Sequence, residues 1–192
     1  MEKHCPNAWL INFSNPSGIL TEALLNYTNV KMVGLCNVPI NTIDGIKKRM
    51  NLPDAYIEYI GLNHFAYVTK ILDNGVDYLQ QALSEGVTGA AMKNIPTSGF
   101  TKEQIAAIGA IPTSYLEYYY FKDSKLEKLK NAERTRGETC MMIEEELLNI
   151  YQNAELHVKP EQLSKRGGAR YSEVAINLVN SIWNDVNDIQ VV

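Results

Sequence analysis

No apolar run in these 192 residues approaches the length of a membrane span, and no basic-then-apolar signal segment opens the chain. Charge of one sign is lacking too. Lys and Arg number 18 against 22 Asp and Glu, so the net charge is -4. Nothing here suggests the basic surface that nucleic acid or an anionic membrane selects. Cysteine is sparse: Cys5, Cys36 and Cys140 have no metal-finger spacing. An odd count without a secretion signal fits reduced thiols in a cytoplasm. No G-x-G-x-x-G motif occurs, and the first glycine is Gly18, after Asn15-Pro16. The usual cradle for a dinucleotide pyrophosphate is therefore not in the chain. Repeats, linkers and low-complexity stretches are missing as well. What remains is the composition of a soluble globular domain with a real core, 45% hydrophobic and 21% charged.

The first third alternates strand and helix. A strand is expected over Ala8 to Phe13, broken by the turn residues Asn15-Pro16-Ser17-Gly18. A helix over Ile19 to Asn26 puts Leu20, Ala23, Leu24 and Tyr27 on one face. A second strand runs from Val30 to Leu35 and stops at Cys36-Asn37, with Pro39 unable to donate to a continuing ladder. Asn41 or Thr42 is the expected cap of the next helix, which carries Ile43, Ile46 and Met50. Short connections between such elements indicate an α/β pattern.

Alternation weakens after Pro53. Tyr56 to Leu62 and His64 to Ile71 read as strands, and Asp73-Asn74-Gly75 as a tight turn. Tyr78 to Ser84 reads as a helix stopped by Gly86. The Gly- and Thr-rich stretch from Val87 to Thr113 holds one short helix, capped by Thr101 with Glu103 in its first turn. Tyr115 to Phe121 packs four tyrosines into seven residues, a cluster for core or subunit contact. One long helix is expected from Lys125 to Asn153, striped by Cys140, Ile143, Leu147 and Ile150, with Glu144-Glu145-Glu146 solvated. A basic glycine-containing loop, Lys165 to Tyr171, precedes a last helix through Trp183. Its apolar face is so wide that a central place in the core is expected. Both ends read as cut, since Asp188 to Val192 resembles a strand just beginning.

Three features bear on chemistry. Cys36-Asn37 ends a buried-type strand, where open parallel sheets bind ligands. A thiol there can ligate a metal and an amide can hydrogen-bond a hydroxylated substrate, or the pair is a core cysteine beside a turn-forming Asn. His64 sits at a turn between strands, as a ligand or as an ordinary hydrogen-bonded histidine. Tyr171 follows a cationic loop at a helix start, which favours phenolate, or it is a satisfied buried tyrosine.

Together, Asn15-Pro16, Cys36-Asn37-Val38-Pro39, Gly61-Leu62-Asn63-His64 and Arg166-Gly167-Gly168-Ala169-Arg170-Tyr171-Ser172-Glu173 resemble glycoside hydrolase family 4. The motifs occur in family order and span nearly the whole chain. The resemblance implies an α/β (α+β) fold. Residues 1–52 would be the last strands and helices of a Rossmann-like NAD-binding domain. Residues 53–192 would be a lactate/malate dehydrogenase-like catalytic domain, truncated at its C-terminus. The family's glycine-rich phosphate loop has no match here, and the family continues beyond Val192, so the chain is expected to be an interior piece without activity of its own.

The resemblance also implies a reaction. In this family NAD oxidises C3 of the sugar, a tyrosine removes the acidified C2 proton, manganese stabilises the enediolate, and the aglycone is eliminated. The base matches Tyr171 and the metal ligands match Cys36 and His64. Asn15 and Asn37 match positions lining the sugar and nicotinamide site. Lys165, Arg166 and Arg170 are candidates for the sugar phosphate by charge, and Arg170 is taken as substrate-binding. Asn after the metal cysteine is the form found in the 6-phospho-β-glucosidase branch, acting on phosphorylated disaccharides such as cellobiose 6-phosphate. The expected setting is a cytoplasmic homo-oligomer using NAD and Mn2+. Two other readings stand beside it: a lactate/malate-type dehydrogenase, which Cys36-Asn37 fits poorly, and a non-catalytic assembly module.

Overall fold

The computed structural model describes residues 1–89, 99–167 and 170–192. The expected loop residues Gly168 and Ala169, and residues 90–98 of the Gly- and Thr-rich stretch, lie outside those described. The chain divides into two compact units, Met1–Ala90 with Thr101–Thr113 and Arg170–Val192, and Ala91–Phe100 with Ser114–Ala169.

The first unit opens with strand β1 (Trp9–Asn12), helix α1 (Ser17–Tyr27), strand β2 (Lys31–Gly34) and helix α2 (Asn37–Met50). β1 and β2 pair in parallel, Trp9 opposite Lys31 and Asn12 opposite Gly34, and the Leu35 N–H extends the ladder to Asn12 O at 2.8 Å. α1 is the crossover between them, as parallel neighbours require. It lies so close on β2 that a Cβ at Gly34 would meet Thr21 Oγ1 at 2.3 Å and Ser17 Oγ at 2.5 Å. Only glycine permits that approach.

α2 starts earlier than the residue types suggest. Cys36, not Asn41 or Thr42, is its N-cap, and Sγ accepts the Val38 N–H at 3.4 Å. Pro39 falls in the first turn, where a missing N–H leaves no intrahelical bond unmade. Asn51 in the left-handed region (φ 55°) closes the helix after Lys47, Lys48 and Arg49, cations suited to its carbonyl end.

An antiparallel sheet follows in the same unit: β3 (Tyr56–Leu62), β4 (Phe65–Asp73), β5 (Val76–Asp77) and, after helices α3 (Leu79–Glu85) and α4 (Lys102–Ile108), β6 (Ile111–Pro112). β3, β5 and β6 all pair with β4. Asn74 and Gly75 (φ 47° and 81°) make the two-residue turn before β5. Ile57, Ala66, Val68 and Ile71 form the buried face of this sheet, with Ile105 of α4 and Ile111 buried beside them. Helix α9 (Tyr171–Trp183) completes the unit and packs against α2.

α9 departs from its expected central place. Val174 is buried, but Ile176 and Trp183 are 65% and 86% exposed. Helical periodicity reports that a face is apolar; it does not supply the surface that would cover it.

The second unit holds a 3-10 turn at Ser114–Leu116 and helices α5 (Glu117–Tyr120), α6 (Lys122–Lys130), α7 (Arg136–Tyr151) and α8 (Gln162–Arg166). Phe100, Leu116, Ile143 and Leu147 are its buried apolar residues among those described, and Phe100 meets Tyr120 edge to face and Phe121 at a tilt. The single helix expected over Lys125 to Asn153 is two helices. Thr135 and Glu138 form a reciprocal capping box that starts α7 afresh.

Candidate active site

Asn15, Cys36, Asn37, His64, Arg170 and Tyr171 belong to the first unit, while Lys165 and Arg166, the other two cations considered for the sugar phosphate, belong to the second. β1 and β2 run in parallel, so their carboxyl ends lie side by side. Asn15 follows the first and Cys36 and Asn37 follow the second.

Cys36 and His64 are separated by 27 residues, yet Sγ and Nε2 are 3.6 Å apart. The reach comes from the turn between β3 and β4. Gly61 adopts φ 136°, and a Cβ there would meet Phe65 O at 2.3 Å, so the hairpin closes tightly only on glycine. Thr113, itself buried, donates its hydroxyl to His64 O at 3.1 Å and its N–H to Ala66 O at 3.0 Å. The backbone bearing His64 is thereby tied to β6.

Burial governs the electrostatics. It pushes the Cys36 thiol up from its ordinary range, opposed by the Val38 and Asn37 N–H groups at the helix start. It pushes His64 down, towards the neutral imidazole that a metal prefers. Asn37 is 4% exposed, and its Oδ1 is buried with no hydrogen-bond partner among the described residues. A buried amide acceptor without a donor costs stability, and a hydroxyl on a bound molecule would relieve it. Next to it is a cavity of about 120 Å³, lined by residues that include Ser17, Thr21, Cys36 and Asn63, in which Thr21 Oγ1 is likewise unsatisfied.

Tyr171 reaches the same end of the parallel pair. It is half-buried and meets Phe13, directly after β1, edge to face with centroids 4.9 Å apart. Asn15, two residues beyond Phe13 in sequence, is exposed. Arg170 is turned to neighbouring side chains: Nη1 pairs with Asp44 Oδ2 at 2.6 Å and Nη2 with Glu173 Oε2 at 2.5 Å.

Sequence reasoning passed over Tyr59, Thr113 and Asp44. Tyr59 shares the inward face of β3 with Ile57 and Gly61, and its phenol is pushed up by burial and by the nearby Cys36 charge. Nothing local in the sequence points to Thr113 or Asp44.

The donor set suits a borderline divalent cation. A thiol, which a metal would bind as thiolate, and an imidazole meet at a strand end, next in sequence to a buried amide. Among the described residues there is no group of three or more His, Cys, Asp or Glu that could hold a metal, so Cys36 and His64 are two donors with further positions left for substrate or water. Among those residues, too, no helix is long and apolar enough to cross a membrane.

Comparison with known proteins bears on the same residues. The "Family 4 glycosyl hydrolase" description matches residues 1–52 and the "Family 4 glycosyl hydrolase C-terminal domain" description matches residues 59–192. The chain is 41% identical over 199 residues to a probable 6-phospho-beta-glucosidase of Bacillus subtilis (strain 168), covering 99% of this chain and 45% of that protein. It is 36% identical to the 6-phospho-beta-glucosidase of Escherichia coli (strain K12), over 96% of this chain and 44% of that one. The structure of the Thermotoga maritima 6-phospho-beta glucosidase with manganese, NAD+ and glucose-6-phosphate superposes with TM-score 0.73 at 34% identity, over 90% of this chain and 40% of that chain. The chain thus spans under half the length of the relatives it matches.

Proposed function

Since the chain belongs to the family 4 glycosyl hydrolases, we propose that it forms part of an NAD- and manganese-dependent 6-phospho-β-glucosidase, with residues 1–52 ending the nucleotide domain and residues 53–192 in the catalytic domain. The observation that carries this reading is the approach of Cys36 Sγ to His64 Nε2, 3.6 Å apart, beside the unsatisfied Asn37 amide. Two relatives matched over nearly the whole chain at 41% and 36% identity carry the name 6-phospho-beta-glucosidase, the first as probable, against 27% for a phospho-alpha-glucosidase of similar coverage, which supports the β-linked, phosphorylated substrate.

When bound, NAD supplies transient oxidation at C3 of the sugar and manganese supplies Lewis acidity, which together acidify the C2 proton and allow the aglycone to leave. The chain's own residues have distinct tasks. Cys36, as thiolate, and His64 would hold the metal. Asn37 Oδ1 accepts a hydrogen bond from a sugar hydroxyl and so orients the ring. The Tyr171 phenolate oxygen takes the C2 proton, its ring held by Phe13. With no glycine-rich loop among the 192 residues, only Asn15 is assigned to the dinucleotide. The three thiols fit a cytoplasmic setting, and all are free.

The test is cleavage of 4-nitrophenyl β-glucoside 6-phosphate by a polypeptide of full family length carrying these residues. Turnover that needs both NAD and Mn2+ is expected. Turnover indifferent to both, or confined to the α-linked isomer, overturns the reading.

A further inference from the structure

Arg170 stands where charge alone suggests a phosphate anchor, yet its guanidinium is already committed. Nε donates to Glu173 Oε2 at 2.9 Å and Nη2 to the same oxygen at 2.5 Å. Nη1 reaches Asp44 Oδ2 at 2.6 Å and Asn41 Oδ1 at 3.4 Å. Glu173 is in the first turn of α9, while Asn41 and Asp44 are i, i+3 neighbours on α2. One planar fork therefore spans two helices, and its rigid geometry fixes their orientation as a flexible ammonium cannot. Both charge partners respond: Arg170 is pushed up, chiefly by its bond to Glu173, and Glu173 is pushed down by Arg170.

The two helices so joined both begin at the candidate site. α2 is capped by Cys36 and starts at Asn37; α9 starts at Tyr171. The cluster also has the wrong sign for an anion. One cation faces two carboxylates, and a dianionic phosphate would meet a net negative charge.

We propose that Arg170 is a positioning residue: by clamping the first turn of α9 to Asp44 of α2 it sets Tyr171 against the Cys36–Asn37 strand end, and it is not the contact for the sugar phosphate. The catalytic consequence rests on the function proposed above; the clamp itself does not. A displaced base loses rate steeply, because a shift on the order of 1 Å can cost about a hundredfold.

The experiment has two arms. In the 192-residue chain, amide exchange of residues 174–177, the first whose N–H groups are bonded within α9, is followed in wild type, Arg170→Lys, Arg170→Gln and Asp44→Asn, with circular dichroism as the check on folding. Faster exchange in both Arg170→Gln and Asp44→Asn is expected, with the double variant no faster than the quicker single one. Unchanged exchange in either of the two overturns the clamp. In a full-length polypeptide, kcat and KM are measured on aryl β-glucosides with and without the 6-phosphate. Arg170→Gln and Asp44→Asn should each lower kcat about ten- to a hundredfold on both substrates, with KM for the phosphorylated one changed less than about threefold. Arg170→Lys should recover only part of kcat. A rise in KM confined to the phosphorylated substrate, in Arg170→Gln with Asp44→Asn silent, makes Arg170 the phosphate contact and overturns the proposal. A full-length wild type without glucosidase activity removes the functional reading, while the exchange arm still decides the clamp.

Discussion

Phe13 and Tyr171, 158 positions apart in sequence, meet edge to face with ring centroids 4.9 Å apart. Such a pair contributes about 0.5–1.5 kcal/mol beyond its buried area, enough to hold a ring in place. Tyr171→Phe keeps the ring and loses the hydroxyl. In a full-length polypeptide it should slow exchange of the substrate C2 proton with solvent by about a hundredfold to ten-thousandfold, with little change in substrate binding. Deuterium incorporation read by NMR decides this; exchange at the wild-type rate removes Tyr171 as the base.

Asn37→Asp places a carboxylate where a buried, unsatisfied amide oxygen now sits. Without a metal the substitution should destabilise the chain, because a charge would replace a neutral group in a dry site. With the full site assembled it should impair β-phosphoglucoside turnover. Urea midpoints and steady-state kinetics test the two effects separately, and wild-type kinetics would place Asn37 outside the site.

Gly61→Ala forces a Cβ to within 2.3 Å of Phe65 O at a φ of 136°. The expected loss is at least about 1–3 kcal/mol of stability, from backbone strain alone. The hairpin must open to relieve it, and His64 should then retreat from Cys36. Weaker Mn2+ binding in the variant, by titration calorimetry, checks the second effect.

The Cys36–His64 pair should give stability a defined pH window. His64 is held below its ordinary 6.5, so its contribution is present above that value and is lost as pH falls towards its folded pKa. Cys36 is held above its ordinary 9.0, so its contribution is present below that value and is lost as pH rises through its folded pKa. Urea midpoints should therefore be flat between about 6.5 and 9 for this pair. His64→Asn should remove part of the acid-side decline; an identical acid limb in that variant would count against the assignment.

Glu117 is 1% exposed, accepts the Gly99 N–H at 2.5 Å and pairs with Lys125, whose side chain is 19% exposed. Glu117→Ala leaves both partners unmet and should cost about 3–5 kcal/mol, towards the lower end because Lys125 can reach water. Glu117→Gln keeps an acceptor for Gly99 and should cost clearly less. Equal losses in the two variants would show that volume matters there and charge does not.

Where a signal was local, the sequence displayed it. β3 spans Tyr56 to Leu62 as expected, Gly86 ends α3 with φ 68°, and Thr101 caps α4. The Cys36–His64 meeting was legible through motif resemblance, since nothing in 27 intervening residues measures a distance. The start of α2 was misplaced because a thiol is not among the usual capping groups. The interruption before α7 was missed although Thr135-x-x-Glu138 spells a capping box; the stripe from Cys140 to Ile150 lies wholly within α7, and the helix was carried back to Lys125 with no apolar stripe to support it. Arg170 looked like a free cation; its partner Asp44 lies 126 positions away and only the folded chain brings them together. The exposed face of α9 shows the limit of periodicity most directly, as Trp183 looks like core and is 86% exposed.

The interruption between α6 and α7 also governs which changes of length the chain can absorb. In one continuous helix, each inserted residue would rotate everything beyond it by about 100°. Ile143 and Leu147 would swing out of the interior. With Lys130 ending one helix and Thr135 beginning the next, the second takes its phase from its own cap. Residues 131–134 can lengthen or shorten without turning that face. Insertions there would be silent for packing, while the same insertion five residues later would be disruptive. The capping box acts as a phase reset, and it makes this short connector the natural place to add a label or a tether.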